Sequence, residues 1–319
     1  MRAIGIDLGG TKIQGVVVAD GEVTAEIKVT TPRGGAEAVV DAIAECVAKL
    51  DGGGGDGRVE GVGVGAPGVV DVATGTVVRA PNLPGFDDPV PLGELLTEAV
   101  DGRRVAVDND VNLGALAEHR LGAGRGHGDL LAVFIGTGVG GGLVLDGRLR
   151  RGPGGMAGEL GHVVVCEGGR RCGCGQLGHL EAYAGRTAME AEARRRHAGG
   201  EPTALVELAG SRPMKSGVFA KALDGGDPVA VELLDGAVAA LGAALASAAS
   251  LVDLEVVVVG GGLAEKLGPA FVGRTEQAVR SRLFIPSWTL RVVPAALGDL
   301  AGALGAALLA AEAGPEPRH

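Results

Sequence analysis

Four potential metal ligands lie within one short segment of this 319-residue chain. The segment reads ELGHVVVCEGGRRCGCGQLGHLE over residues 159–181, and His162, Cys172, Cys174 and His179 supply two nitrogen and two sulfur donors. Such a set suits tetrahedral zinc, and four protein ligands leave no open position for a substrate. The segment therefore predicts a structural zinc site. The glutamates at its two ends stay available for other contacts.

Cys166 is a rival ligand, because it lies between His162 and Cys172 in the sequence. We favour His179, which completes a compact Cys-x-Cys-x₄-His block. Cys46 is most simply a buried helix residue. The cysteine pattern is typical of a metal site or of free thiols in a reducing compartment, and the N-terminal residues lack a signal-peptide pattern. We therefore expect a cytoplasmic protein.

The overall charge limits the classes of partner. A net charge of −10 argues against nucleic-acid binding by phosphate neutralisation. It leaves room for a small anion, since one loop can bind phosphate in an acidic protein. No apolar run is expected to be long enough to span a bilayer, because the Ala-rich stretch from Val238 to Val252 is too short.

Three glycine turns, each at the end of a predicted strand, could bind a nucleotide. They are DLGGTK at residues 7–12, GTGVGGG at residues 136–142 and GGG at residues 260–262. Glycines let a phosphate approach the backbone closely, and Thr11 and Lys12 can donate to it. Asp7 could hold Mg²⁺, directly or through water. A tight hairpin is the alternative interpretation of the first turn alone, but three such turns favour a nucleotide site.

A second candidate site is the triplet Asp108-Asn109-Asp110, which follows a short strand at Val105–Val107. Ligands of α/β sheets usually bind at the carboxyl ends of strands. One carboxylate could therefore act as a general base toward a hydroxyl nucleophile. The alternative is a loop whose side chains cap a helix, which we expect from Asn112 onward.

Strands alternating with helices predict an α/β fold. We expect strands at Ala3–Ile6, Ile13–Ala19, Val59–Val64, Leu130–Ile135, Gly142–Leu145, Glu255–Val259 and Arg291–Val293. Asp299 could cap a final helix that runs to Ala311.

The chain also carries a weak internal repeat. A shift of 126 residues superimposes Thr11 on Thr137 and the Asp20-Gly21 turn on Asp146-Gly147. If the repeat is real, each of two lobes offers one glycine turn.

The motifs together resemble a known family. DLGGTK, GAPGVVD, DNDVN, GTGVGGG, GELGH, CGCGQLGHLE and the last GGG are similar, in order and spacing, to the ROK sugar kinases and particularly their bacterial glucokinases. The resemblance implies a two-lobe hexokinase/actin-like (ribonuclease H-like) ATPase fold. It also implies a small α/β lobe at residues 1–110 plus 299–319, and a large α/β lobe at residues 111–298 that carries the zinc motif.

The resemblance assigns roles residue by residue. It implies that Asp110 is the catalytic base on the sugar 6-hydroxyl. The implied sugar contacts are Gly68, Asn109, Asp110, Glu159, His162 and Glu181. The implied contacts of ATP and Mg²⁺ are Asp7, Gly9, Gly10, Thr11, Lys12 and Thr137, to which the glycine turns add Gly138 and Gly261. His179 stands where the family usually has a third cysteine, which gives a His₂Cys₂ zinc set.

ATP-dependent phosphorylation of glucose to glucose 6-phosphate is the function that this resemblance favours. Kinases for N-acetylmannosamine, N-acetylglucosamine or fructose share most of the named residues and stay open. A sugar-sensing regulatory protein is the alternative from another class, and the short stretch before Asp7 has no room for a DNA-binding domain. A zinc-stabilised sugar-binding module is disfavoured by the ATP turns. A homodimer or homotetramer is expected.

Overall fold

The computed structural model describes residues 2–52, 59, 61–285 and 287–312. The chain forms two compact units. The first unit is drawn from Met1–Arg120, Leu149–Ala157 and Asp299–His319, and the second from Leu121–Arg148 and Gly158–Gly298. These units are not the functional lobes that the resemblance implies, and the boundaries of those lobes stay a prediction.

The secondary structure follows the expected α/β alternation. The strands of the described residues are β1 (Arg2–Leu8), β2 (Lys12–Ala19), β3 (Glu22–Thr30), β4 (Val62–Ala66), β5 (Val69–Asp71), β6 (Thr76–Arg79), β7 (Val105–Asn109), β8 (Leu130–Ile135), β9 (Val139–Leu145), β10 (Arg148–Arg150), β11 (Val256–Gly260) and β12 (Arg291–Pro294). The α-helices of the same residues are α1 (Ala36–Gly52), α2 (Leu92–Ala99), α3 (Asp110–Arg120), α4 (Glu181–Ala184), α5 (Arg186–Ala198), α6 (Ala204–Ala209), α7 (Ser216–Asp224), α8 (Pro228–Val252), α9 (Gly262–Arg280) and α10 (Ala301–Glu312).

The first unit is built on a mixed sheet of order β3-β2-β1-β4-β7. β1 pairs antiparallel with β2 and parallel with β4, which pairs parallel with β7. Asp7 lies opposite Gly65, and Gly65 lies opposite Asp108. The ends of β1, β4 and β7 therefore bring the first glycine turn and the Asp108-Asn109-Asp110 triplet to the same edge of one sheet.

The second unit repeats this topology. Its sheet has the order β10-β9-β8-β11-β12, with β8–β9 antiparallel and both β8–β11 and β11–β12 parallel. The two hairpin turns also match, because Asp20 and Gly21 have φ of 52° and 85° and Asp146 and Gly147 have φ of 53° and 70°. Left-handed φ at both central residues is the geometry of a type I′ turn. The weak sequence repeat thus corresponds to two copies of one hairpin in equivalent positions.

Several boundaries differ from the sequence-based expectation. β3 and the β5–β6 hairpin were not expected, and β4 begins at Val62 rather than Val59. β9 begins at Val139 rather than Gly142, because its glycines pair with β8 and extend the hairpin. Glycine has low strand propensity, but hydrogen bonding to a buried neighbouring strand overrides it.

The interior explains how a chain with only 2 % aromatic residues can pack. α10 is rich in Ala and lies against β1 and β4 in the first unit. A Cβ on Gly63 of β4 would collide with the backbone carbonyl of Ala306. Small residues on both elements therefore allow the helix backbone to approach the sheet, and this close approach replaces the bulk of aromatic side chains.

α8 is longer than the sequence analysis expected. It has 25 residues and is long and apolar enough to cross a membrane by length and composition, so the expectation that no apolar run reaches that length was wrong. However, 67 % of its most apolar 18-residue stretch is buried inside the protein. Leu233, Leu241 and Leu245 of this helix belong to the core of the second unit. This burial is typical of a core helix.

Candidate functional site

The second unit brings the four predicted metal ligands together. One donor atom from each of His162, Cys172, Cys174 and His179 lies within 4.8 Å of the others. Cys174 Sγ is 3.3 Å from His179 Nδ1, and Cys172 Sγ is 4.0 Å from His162 Nδ1. Two imidazole nitrogens and two sulfurs around one point fit tetrahedral zinc, so these four residues could hold a structural metal ion.

Two short pairings create this cluster from the local sequence. Val164 forms an isolated antiparallel β-bridge with His179, and Leu180 N–H donates to Val163 O at 2.9 Å. These contacts bring the two histidines near each other. The bridge between Arg171 and Leu177 closes a tight turn that contains both cysteines. This knuckle, formed by residues 162–179, leaves Val163, Val164 and Leu177 exposed, so a metal ion would be an effective way to stabilise it.

Cys166 lies outside the cluster. It is an exposed thiol, and the metal-capable group found among the described residues does not include it. The geometry therefore favours His179 over Cys166 as the fourth ligand. Cys46 is buried in α1, as expected.

Glu181 connects the metal cluster to the second glycine turn. The Cys172 thiol donates to Glu181 Oε1 at 3.6 Å, and Val139 N–H donates to Glu181 Oε2 at 3.0 Å. A Cβ on Gly138 would collide with this carboxylate, so the glycine permits the approach. Burial raises the pKa of the Cys172 thiol to about 11. A bound cation would counter that effect by favouring the thiolate.

The second and third glycine turns are neighbours at the edge of the second sheet. They follow the adjacent parallel strands β8 and β11. Gly261, with φ of 86°, packs so closely on Ile135 that an added Cβ would lie 2.5 Å from its backbone nitrogen. The predicted nucleotide contacts Thr137, Gly138 and Gly261 are therefore brought together within one unit.

Arg186 is a residue of this region that the sequence analysis missed. Its Nη2 donates to Thr137 Oγ1 at 2.8 Å. The backbone N–H of Arg186 also donates to Gly136 O at 3.1 Å, which fixes the start of α5 on the turn. The only signal in the sequence is Gly185 followed by a cation, and that signal is too weak to single out the residue.

The first glycine turn lies in the first unit and carries a perturbed carboxylate. Burial raises the pKa of Asp7 to about 6, although the Lys12 charge opposes the shift. Gly9 N–H donates to Lys12 O at 2.9 Å and closes the turn. A half-buried carboxylate whose negative charge is disfavoured is a suitable ligand for a divalent cation, so Asp7 could hold Mg²⁺.

Lys12 is held by protein groups in this structure. Its Nζ donates to Asp299 Oδ2 and to Gln14 Oε1, both at 3.0 Å. Lys28 also reaches Asp299, at 3.3 Å, and the hydrogen bond from Lys12 is the main reason that the pKa of Asp299 is lowered. The Asp299 carboxylate thus binds two lysines, and its predicted capping of the last helix stays a prediction.

The side chains of the Asp108-Asn109-Asp110 triplet have different partners and different degrees of burial. Asp108 is completely buried, and Arg151 Nε and Nη2 contact its Oδ2 at 2.7 and 2.6 Å. Asn109 Oδ1 accepts the N–H groups of Val111 and Asn112, so it caps α3. The helix consequently begins at Asp110, two residues earlier than expected.

Asp110 is the carboxylate of the triplet that keeps solvent access. It is partly exposed, and its Oδ1 accepts from Val111 N–H at 2.9 Å. Asp108 is enclosed and neutralised by Arg151, a residue that the sequence analysis also missed. Of the two aspartates, therefore, Asp110 is the more exposed.

The predicted sugar contacts are distributed over both units. In the first, Asn109 Nδ2 donates to Gly68 O at 2.9 Å, and Asp110 follows directly. In the second, His162 Nε2 lies 3.9 Å from Glu159 Oε2, and Cys172 lies close to both His162 and Glu181. Each unit therefore contains some of the predicted sugar contacts.

Comparison with known proteins identifies the class. The ROK family model matches residues 3–313. A glucokinase from Streptomyces coelicolor is 37 % identical over 98 % of both chains. The solved structure of a ROK hexokinase from Thermus thermophilus has a TM-score of 0.84 and 38 % identity, and covers 98 % of this chain and 99 % of that one.

A third relative carries ligands. The structure of a ROK family glucokinase from Streptomyces griseus, in complex with glucose and AMPPNP, has a TM-score of 0.82 and 37 % identity over 98 % of this chain and 100 % of that one. The chain belongs to the ROK family. Its α/β fold with two mixed sheets confirms the predicted two-lobe hexokinase/actin-like class, and its His/Cys cluster is consistent with the structural zinc site.

Proposed function

We propose that this protein is an ATP-dependent hexose kinase whose substrate is glucose. The observation that carries the proposal is the likeness, over almost the whole chain, to glucokinases, one of them bound to glucose and AMPPNP. The arrangement of carboxylates and glycine turns supports it, because phosphoryl transfer needs positioning and charge neutralisation more than covalent chemistry.

Asp110 is the general base in this proposal. The sugar O6 forms a bond to the γ-phosphorus while the bond from that phosphorus to the β–γ bridging oxygen breaks. ADP leaves, and the hydroxyl proton passes to Asp110. The different burial of the two aspartates supports this role, because Arg151 binds the buried Asp108, whereas Asp110 is partly exposed.

The remaining sugar contacts in the proposal are Gly68, Asn109, Glu159, His162 and Glu181. Zinc would be held by His162, Cys172, Cys174 and His179 without taking part in the chemistry. Its contribution would be to fix the ring of His162, whose Nδ1 lies 4.0 Å from Cys172 Sγ. A hexose has many hydroxyl groups, so acceptors held in fixed orientations favour its binding.

ATP is proposed to bind the glycine turns through Gly9, Gly10, Thr11, Lys12, Thr137, Gly138 and Gly261. Asp7 would hold Mg²⁺, which when bound would offset the charge of the nucleotide phosphates. Asp299 now accepts from Lys12, so a phosphate must compete with that carboxylate for the lysine. We also propose a cytoplasmic location and a homodimer or homotetramer.

A coupled ADP-release assay tests the proposal. Purified protein is given ATP with glucose, fructose, N-acetylglucosamine and N-acetylmannosamine in turn, and glucose is expected to give the highest kcat/KM. A different preferred hexose would reassign the substrate within the same class. No ADP release with any sugar, from folded protein, would reject the kinase.

The Asp110→Asn variant tests the base. We expect glucose binding to change little and kcat to fall by about 100-fold or more, because general-base catalysis contributes on the order of 10²–10⁴. Asp87→Asn is the matched control, since Asp87 is an exposed residue of the same unit. Near-normal turnover of Asp110→Asn would remove Asp110 from the role.

A further inference from the structure

Arg186 carries a positive charge that has no counter-ion among the residues the structure describes. Its Nη2 donates to the Thr137 hydroxyl and its Nη1 donates to Met214 O, at 2.8 and 3.3 Å, and both acceptors are uncharged. Its Nε is buried and has no hydrogen-bond partner. No ion pair to Arg186 occurs in the part of the chain that the structure describes. The guanidinium is therefore held in place while its charge is uncompensated.

The other arginines of α5 differ in this respect. Arg194 pairs with Glu190, Arg195 pairs with Glu192, and Arg196 pairs with Glu201 and Glu232. In a protein with a net charge of −10, carboxylates are abundant. A partly buried arginine that contacts only neutral groups thus has unused capacity for an anion, since guanidinium groups prefer carboxylate or phosphate oxygens.

The surroundings of Arg186 indicate which anion. Two backbone hydrogen bonds, from Arg186 N–H to Gly136 O and from Thr187 N–H to Thr137 O, attach the start of α5 to the second glycine turn. The third glycine turn is adjacent, and Gly262 there lies near Ser216. Because Thr137 Oγ1 accepts from Arg186, its own hydrogen can point toward a ligand. A phosphate at this turn would meet both donors.

We propose that Arg186 binds a phosphate group of the nucleotide, and so is a phosphate-contacting residue of the second unit. The inference rests on the proposed ATP-dependent function. The guanidinium has two tasks. It orients the Thr137 hydroxyl as a donor, and it supplies a charge-assisted hydrogen bond to the phosphate.

Binding measurements on Arg186→Gln test this inference. Isothermal titration with ATP, ADP and adenosine compares ligands that differ in phosphate. Loss of one charge-assisted hydrogen bond predicts an affinity for ATP and ADP weaker by about 10- to 100-fold, with adenosine affinity unchanged. Arg186→Lys is expected to recover part of the loss. Arg195→Gln is the control, because Arg195 is exposed on the same helix and pairs with Glu192.

The outcomes separate the inference from the proposed function. If the wild-type protein binds ATP and Arg186→Gln binds it equally well, the Arg186 role is wrong and the kinase proposal stands. If adenosine binding falls as much as ATP binding, Arg186 acts only on local structure and the inference is overturned. If the wild-type protein binds no nucleotide, both fail. Should the Gln variant not fold, Arg186→Met, which keeps the apolar stem, is measured in its place with the same criteria.

Discussion

The buried ion pair between Asp108 and Arg151 gives the most direct test of how the Asp108-Asn109-Asp110 triplet is held in place. Arg151→Met removes the cation but keeps most of the apolar volume of the side chain. Asp108, which is completely buried, then loses its counter-ion and, among the described residues, keeps the Asn109 N–H at 2.7 Å and Asn112 Nδ2 at 3.4 Å as donors. An uncompensated buried carboxylate is far more costly than the pair itself is beneficial.

The magnitude follows from the exposure of the two partners. Breaking a buried pair costs about 3–5 kcal/mol when both groups are fully enclosed. The Arg151 side chain is 31 % exposed, so water can partly replace it. We therefore expect the free energy of unfolding to fall by about 2–4 kcal/mol. Asp108→Asn combined with Arg151→Met removes both charges and is expected to be more stable than Arg151→Met alone.

Urea unfolding followed by circular dichroism measures these free energies. Trp288, the only tryptophan, lies in the second unit, so its fluorescence reports that unit separately. Arg148→Met is the control, because Arg148 is exposed. A loss in Arg151→Met no larger than in the control, or a double variant no more stable than Arg151→Met, would refute the argument that charge compensation holds Asp108 in place.

Three other predictions concern pH, metal and packing. The pKa of Asp7 is raised from 3.8 to about 6, so the folded state binds more protons than the unfolded state between those values, and stability falls as pH rises through them. Asp7→Asn should therefore raise the free energy of unfolding at pH 8 by about 1–3 kcal/mol in metal-free buffer, while it abolishes turnover. An equal gain in stability at pH 3 would contradict this cause. Elemental analysis should find one zinc per chain, lost in Cys172→Ala but kept in the control Cys166→Ser; active protein without zinc would reject the site. Gly63→Ala should lower the free energy of unfolding by more than about 2 kcal/mol in thermal or urea unfolding, because its Cβ meets the Ala306 carbonyl. The control Gly236→Ala, which has open space around it inside α8, should raise that free energy by up to about 1 kcal/mol. Equal effects would show that α10 can move away from the sheet.

The metal cluster was predictable because its ligands are close in sequence. His162 to His179 span one local knuckle, so spacing and donor chemistry alone predicted which side chains could meet. The glycine turns were predictable for a similar reason, because each follows its own strand directly. The resemblance to a family then supplied roles that spacing cannot give.

Arg151 and Arg186 could not be found in this way. Arg151 meets Asp108 from 43 residues further along the chain, and Arg186 meets Thr137 across 49 residues. Neither arginine differs, in type or in neighbours, from the many that pair on the surface. Only the folded backbone brings these atoms together.

The sequence by itself determined the α/β class, the family, the four candidate metal ligands and the residues of the glycine turns, since all of these depend on local spacing or on an ordered set of motifs. The tertiary structure decided which aspartate of the Asp108-Asn109-Asp110 triplet is enclosed and which is partly exposed, and it placed Arg186 beside Thr137 with no ion pair to the described residues. The physical reason is that burial and charge compensation depend on groups distant in sequence. The residue type decides which chemistry a side chain can do, but whether it can reach a ligand depends on the groups that pack against it.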